Sequence, residues 1–508
     1  MTAEASQQPV IDFLSDPANH GGAPVKRIDT HAASVFLAGE RVLKIKRPVR
    51  FPFLDFSTLK NRRAACEAEI AVNRAFAPSI YLRVVSITRE PGGGLAIGGR
   101  GEPVEWAVQM RRFDENQTFE RLAEAGQIDE PLADALGRAV AAAHRMAPTV
   151  PQAHFTETLA DIVTQNEAEL AGDPDLFSLQ ALRTLSGATR DALDRAKPLL
   201  DARERAGLVR RCHGDLHLGN IALIDGKPVL FDAIEFDDRI ATGDVFYDLA
   251  FLLMDLVEHG LDRAANIVLN RYLTETRRVY DLDALAALPL FMSVRAAIRA
   301  KVTAARGWQR GLNAELAHNA RDYAALAEKL LNPARPRLVA IGGLSGTGKS
   351  LLAHALAPQI LPLPGAVVLR SDVERKVLFG AYETERLPPE AYTMEATANV
   401  YNFLAEKARR IVAAGHSVIV DAVFARPDER AAIAKVAPAE FEGLFLTADI
   451  ETRLSRIGKR SGDASDADTS VALKQEEWDL AHIKWTKVDA AGTAEETLIR
   501  AEAMLDQR

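Results

Sequence analysis

The chain has 508 residues, 48% hydrophobic and 26% charged, with a formal net charge of −8. Such a length exceeds what one core supports, so two or three domains are expected, and the acidic balance argues against a general nucleic-acid binder, which needs a basic footprint. Two cysteines, Cys66 and Cys212, make neither a disulfide framework nor a zinc ligand set, so a reducing cytoplasm is expected.

The opening MTAEASQQPV has no basic segment followed by an apolar run, so no signal peptide is expected there. ASVFLAGERVLKIKRPV (33–49) reads as a hairpin with AGE at its turn, and its second strand carries Lys44 and Lys46 on one face. RRAACEAEIAVNRAFA (62–77) reads as a helix bearing Glu67 and Glu69. In kinase chemistry a buried Lys–Glu pair aims the ammonium at the α- and β-phosphates of a nucleotide. Lys44 and Glu69 are the chosen pair, and Lys46 and Glu67 stay open as substitutes. Strands follow at 80–88 and 105–113, flanking a Gly-rich turn at 91–99, and helices dominate after about residue 117. A small strand-rich lobe therefore precedes a larger helical lobe.

Within the helical lobe, RCHGDLHLGN (211–220) sets His213, Asp215 and Asn220 at the spacing H-x-D-x-x-x-x-N. In kinase-type chemistry an Asp at that spacing accepts the proton of an acceptor hydroxyl and the Asn five residues on is a ligand for Mg²⁺. Downstream, the strand KPVLFD ends in Asp232, a second hard oxygen ligand. His213 and His217 lack a third ligand and are read as bracing and positioning groups rather than a metal site. HGDLHLGN, FDAIEFDD and TGDVFYDLAFLL together resemble the aminoglycoside phosphotransferase family, the small-molecule branch of the protein-kinase-like fold, over about residues 25–330. The resemblance implies Asp215 as catalytic base, Asn220 and Asp232 as Mg²⁺ ligands, and Asp244 and Asp248 as structural ties. One departure is the absence of G-x-G-x-x-G over the first hairpin, where HAASVFLAGE stands. The apolar stretch at 249–260 is interrupted by Asp255 and Glu258, so no membrane span is expected.

LNPARPR (331–337) breaks a long helical stretch and marks a seam. After it, apolar runs ending in Gly or Asp alternate with amphipathic helices, the pattern of a helix-covered parallel sheet. GLSGTGKS satisfies G-x-x-x-x-G-K-[ST]: Gly343, Leu344, Ser345, Gly346, Thr347 and Gly348 turn backbone N–H groups toward phosphates, Lys349 reaches the terminal phosphates, and Ser350 is a Mg²⁺ ligand. Asp421, closing HSVIVDAV, is expected on the metal side. Asp372, closing VVLRSD, either acts on the acceptor hydroxyl or caps the next helix. Arg453, Arg456 and Arg460 lie in an arginine-rich segment beside SGDASDAD, read either as a lid over the phosphates or as a solvated basic face. Arg456 is the catalytic candidate, with Arg453 and Arg460 as nucleotide contacts. These motifs, in order, resemble the small P-loop kinases of the gluconate kinase and zeta-toxin group over 337–508.

The expected fold is a bilobal α+β protein-kinase-like domain over 1–332, followed by an α/β P-loop NTPase domain with a parallel sheet over 337–508. The expected function is bifunctional: each domain moves the γ-phosphoryl group of ATP to a small-molecule hydroxyl with Mg²⁺. In the alternative, one domain is the active kinase and the other an ATP-binding regulator. Neither nucleic acid nor membrane is an expected partner, and oligomeric state is left open.

Overall fold

A computed structural model of the protein describes residues 3–51, 54–310, 314–459, 464–478, 480 and 482–505, with all side chains except those of 3–6 and 306–310. The chain forms two compact units, residues 1–161 with 200–255 and residues 162–199 with 256–508. The seam at 331–337 is thus not where the units part, because 256–330 packs with the later segment.

In the first unit, strands β1 (Val25–Asp29), β2 (Ala33–Ala38), β3 (Arg41–Lys46), β6 (Tyr81–Arg89), β7 (Leu95–Ile97) and β8 (Glu102–Arg111) build a six-stranded sheet. Its order is β1-β2-β3-β8-β6-β7, with antiparallel pairing throughout. A short hairpin, β4 (Arg50–Phe51) with β5 (Leu54–Asp55), precedes the helix Leu59–Phe76. Thr58 caps that helix by accepting from the Asn61 amide at 3.1 Å. Period-two alternation divides β3 between two faces. Leu43 and Ile45 join Phe36, Val85 and Ile87 in a core shared with Val10, Ile11 and Leu14 of the helix Ala3–Ser15. Lys44 and Lys46 face the other way and meet Glu69 of the helix Leu59–Phe76. The helical lobe adds β9 (Val209–Arg211), paired with β12 (Thr242–Asp244), and the hairpin of β10 (Ile221–Ile224) with β11 (Lys227–Leu230). Asp225 and Gly226 turn that hairpin with φ of 50° and 73°, which suits an Asp-Gly pair.

The second unit holds β13 (Leu338–Gly343), β14 (Val367–Arg370), β15 (Val418–Asp421), β16 (Phe441–Thr447) and β17 (Thr486–Asp489). They form a parallel sheet in the order β14-β15-β13-β16-β17. Val339, Ile341, Ile419, Leu444 and Leu446 of the sheet pack on Leu352 and Leu356 of the helix Lys349–Leu356. The outer edge of β14 meets the helix Asp262–Thr276. There Asn270 Oδ1 accepts from the Val368 amide at 2.7 Å, and its Nδ2 donates to the Ala366 carbonyl at 3.1 Å. Asn266 donates to the same carbonyl at 3.0 Å. The expected α+β and parallel α/β architectures are both present. The elements that the sequence reading does not contain include the helix Ala3–Ser15, the short strands β1, β4, β5, β7, β9 and β12, and strand β17, in which only Val488 is buried.

Candidate active sites

In the first unit the charges gather around Lys44. Its Nζ lies 2.8 Å from Glu69 Oε1 and 2.8 Å from Asp232 Oδ1. Burial works against the ammonium, but Asp232 and then Glu69 outweigh it and hold Lys44 well above its usual value. Glu67 points elsewhere, to an exposed pair with Arg63 at 2.9 Å, so Glu69 is the helix partner. Lys46 also reaches Glu69, at 2.7 Å on Oε2.

The β10–β11 hairpin positions the other groups. Its register pairs Ile221 with Leu230, and the Phe231 amide donates to the Asn220 carbonyl at 2.9 Å. Asn220 and Asp232 therefore emerge at the same open end. Asn220 Nδ2 donates to Asp215 Oδ2 at 2.9 Å, which leaves its side-chain oxygen for another partner. His217 Nε2 stands 3.5 Å from Asp215 Oδ2. His213 is fully buried, and its Nε2 lies 2.9 Å from the Phe231 carbonyl. Burial lowers its pKa, so it braces the loop as a neutral ring. Asp248 accepts from the amides of His213 at 3.2 Å and Gly214 at 2.8 Å, and Asp244 is paired with the buried Arg203 at 2.7 Å. Neutral carboxamide and carboxylate oxygens at one hairpin end are the hard donor set that suits Mg²⁺.

In the second unit the loop after β13 curls as its glycines allow. Gly343, Gly346 and Gly348 have φ of 143°, 87° and 92°. Thr347 Oγ1 donates to the Leu344 carbonyl at 2.8 Å, Lys349 Nζ to the same carbonyl at 3.2 Å, and Ser350 Oγ to Asp421 Oδ2 at 2.5 Å. The loop, Asp372, Asp421 and Arg456 line one cavity of about 1680 Å³. Burial, then the nearby Asp421 charge, raises the pKa of Asp372, which also bonds to Ser465. Asp372 sits inside the first turn of the helix Ser371–Leu378, whose N-cap is Arg370. It faces the cavity rather than serving as the cap.

The arginines separate. Arg456 lines the cavity, and its Nη2 donates to the Gly492 carbonyl at 2.7 Å. Arg453 corrects the sequence reading: it is 2% exposed and does not line the cavity. Its Nε donates to the Ser345 carbonyl at 2.9 Å, and its guanidinium pairs with Glu476. It supports the phosphate loop from behind, because the helix Ile450–Gly458 buries that side. Arg460 lies outside the described residues.

Several contributors escaped the sequence reading. Gln475 Oε1 accepts from the Ser345 amide at 2.8 Å, and its Nε2 donates to Ser345 Oγ at 3.0 Å. Asn73 brackets Ala233, accepting from its amide at 2.7 Å and donating to its carbonyl at 3.1 Å. Glu235 pairs with Lys46 at 2.5 Å. The available signals were weak: Asn73 stands one helical turn beyond Glu69, and Glu235 lies in the FDAIEFDD stretch after Asp232.

The family model described as "Phosphotransferase enzyme family" matches residues 34–287, and the one described as "AAA domain" matches residues 338–478. Uncharacterized proteins of Mycobacterium bovis and Mycobacterium tuberculosis are 31% identical to this chain over 490 residues, covering 93% of it and 94% of theirs. Among solved structures, a gluconokinase from Sinorhizobium meliloti 1021 is 20% identical, covering 34% of this chain and 93% of its own, with a TM-score of 0.26. A choline/ethanolamine kinase family protein from Mesorhizobium loti is 14% identical, covering 64% and 95%, with a TM-score of 0.38.

Proposed function

The chain belongs to the phosphotransferase enzyme family and is an ATP-dependent kinase, and on that premise we propose that it carries two catalytic centres, one in each unit. Each transfers the γ-phosphoryl group of ATP to a hydroxyl of a small molecule, with Mg²⁺. The observation that carries the reading is Lys44 Nζ at 2.8 Å from both Glu69 and Asp232, beside the hairpin end that also presents Asn220. In the earlier centre Glu69 orients Lys44 toward the α- and β-phosphates. Asp215, steadied by Asn220, takes the acceptor's proton. Asn220 and Asp232 hold Mg²⁺, which when bound offsets charge on the phosphoryl oxygens.

In the later centre the N–H groups of 343–348 and the start of the helix Lys349–Leu356 hold the phosphates. Lys349 turns from the Leu344 carbonyl to the terminal phosphates, Ser350 and Asp421 hold Mg²⁺, and Arg456 neutralises charge beside the loop. Asp372 receives the acceptor's proton. The cavity volume supports this reading, since about 1680 Å³ exceeds what one small ligand occupies and leaves room for nucleotide and acceptor together. We place the functional division at the 331–337 seam, giving domains 1–332 and 337–508. We assign the protein to the cytoplasm, with hydroxyl-bearing metabolites rather than nucleic acid or membrane as its partners; no described helix is long and apolar enough to cross a membrane.

The test is direct. The full-length protein is incubated with ATP and a metabolite extract, and masses are compared for the gain of one phosphate. Asp215→Asn is expected to remove one set of products and Lys349→Ala another. If either change alone abolishes all transfer, the alternative with one active kinase and one regulatory module replaces this reading.

A further inference from the structure

β3 carries two lysines where phosphate binding needs one. Lys46 side chain is 4% exposed, and a second ammonium taken out of water is costly unless carboxylates meet it. They do: Glu69 Oε2 at 2.7 Å and Glu235 Oε1 at 2.5 Å. Glu69 is fully buried and Glu235 is 8% exposed. The Phe56 ring lies 5.4 Å from the ammonium, and Gln7 Nε2 donates to the Lys46 carbonyl at 2.8 Å. Both ends of this lysine are fixed.

Glu235 belongs to the segment that carries Asp232. Asp232 has φ of 60°, a left-handed backbone that a non-glycine residue keeps only when its surroundings impose it. The surroundings do so residue by residue. The Asp232 amide donates to Tyr81 Oη at 3.1 Å, Asn73 brackets Ala233, and the Ile234 amide donates to the His213 carbonyl at 3.0 Å. The Glu235–Lys46 bond completes the set and ties the segment to β3, the strand that bears Lys44.

We propose that Lys46 and Glu235 are positioning residues of the earlier centre: their ion pair fixes Asp232 opposite Lys44 and reserves one oxygen of Glu69, so that Lys44 and Asp232 meet the nucleotide and its cation in register. This inference rests on the reading of that centre given above. Without Lys46, both oxygens of Glu69 are free to turn onto Lys44. Without Glu235, the ionic tie from the Asp232 segment to β3 is lost.

The probe is Mn²⁺ with the non-hydrolysable analogue AMP-PNP, titrated calorimetrically into the full-length chain carrying Lys349→Ala, so that the later loop is silenced. Lys46→Met and Glu235→Gln are each expected to weaken binding about 10–100-fold, the usual effect of removing a group that orients a metal ligand. The double variant is expected to be no weaker than the worse single, because the two act as one unit. Lys46→Arg, which keeps the charge, is expected to bind within a few-fold of the parent. It serves as the comparison with Glu235→Gln should Lys46→Met melt too low. If Glu235→Gln binds as the parent does while Asp232→Asn loses binding, the positioning role is wrong and the centre stands. If Asp232→Asn also binds unchanged, the reading of the centre fails and this inference with it.

Discussion

Glu69 divides its two oxygens between two ammonium groups, Lys44 at 2.8 Å and Lys46 at 2.7 Å, with no exposed surface. Burial alone would raise its pKa; the lysines overcome burial and hold it at about 2, below the ordinary 4.5. A carboxyl depressed in the folded state contributes stability above its unfolded value, and that contribution fades as pH falls through the folded one. Part of the acid loss of stability should therefore fall between about pH 4.5 and 2, and Glu69→Gln should remove that part from urea-melt profiles taken across this range. At neutral pH the same substitution leaves two buried cations short of a partner. It should cost about 3–5 kcal/mol, read from the shift in denaturation midpoint. Asp215→Asn differs, because its side chain is partly exposed and its contacts are polar. The melting temperature should stay within a few degrees of the parent's while one class of phosphorylated product disappears. Such a variant separates chemistry from folding.

The loop after β13 tests a whole element. A Cβ on Gly346 would stand 2.6 Å from the Arg453 carbonyl oxygen, and the φ of 87° is itself unfavourable to any side chain. Gly346→Ala should abolish nucleotide binding by the second unit, followed by fluorescence of a labelled ATP analogue, and leave the first unit's product unchanged. Gln475→Ala should have a milder effect, since the Arg453 bond to the Ser345 carbonyl persists. Sequence made some of these elements plain. The phosphate loop, HGDLHLGN and the strand before Asp232 announce themselves because their chemistry demands fixed residue types at short spacing, although the strand ends at Leu230 and Asp232 stands two residues beyond it. The same holds for the hairpin bearing Lys44, with its two-residue turn at Gly39 and Glu40. Arg453 was misread because helical periodicity says which residues neighbour one another but not which side a later helix will bury. Glu235, Asn73 and Gln475 stayed hidden because their partners stand 189, 160 and 130 residues away. Strand β17 was missed because it buries only Val488, whereas β13 and β15 bury every residue and stand out as apolar runs.

At the scale of the whole chain, the two proposed centres draw on separate residues, so Asp215→Asn and Lys349→Ala should each leave the other's product rate unchanged within experimental error. The functional division proposed at 331–337 is not the division by packing. The helix Asp262–Thr276 lies before the 331–337 seam, yet Asn266 and Asn270 bond the backbone beside β14. Two carboxamides there do what another strand would do: they occupy a donor and an acceptor that a sheet margin otherwise offers to any passing chain. A fragment starting at residue 337 would carry that margin bare. Its failure in solution would be stickiness rather than unfolding, with oligomers growing as concentration rises.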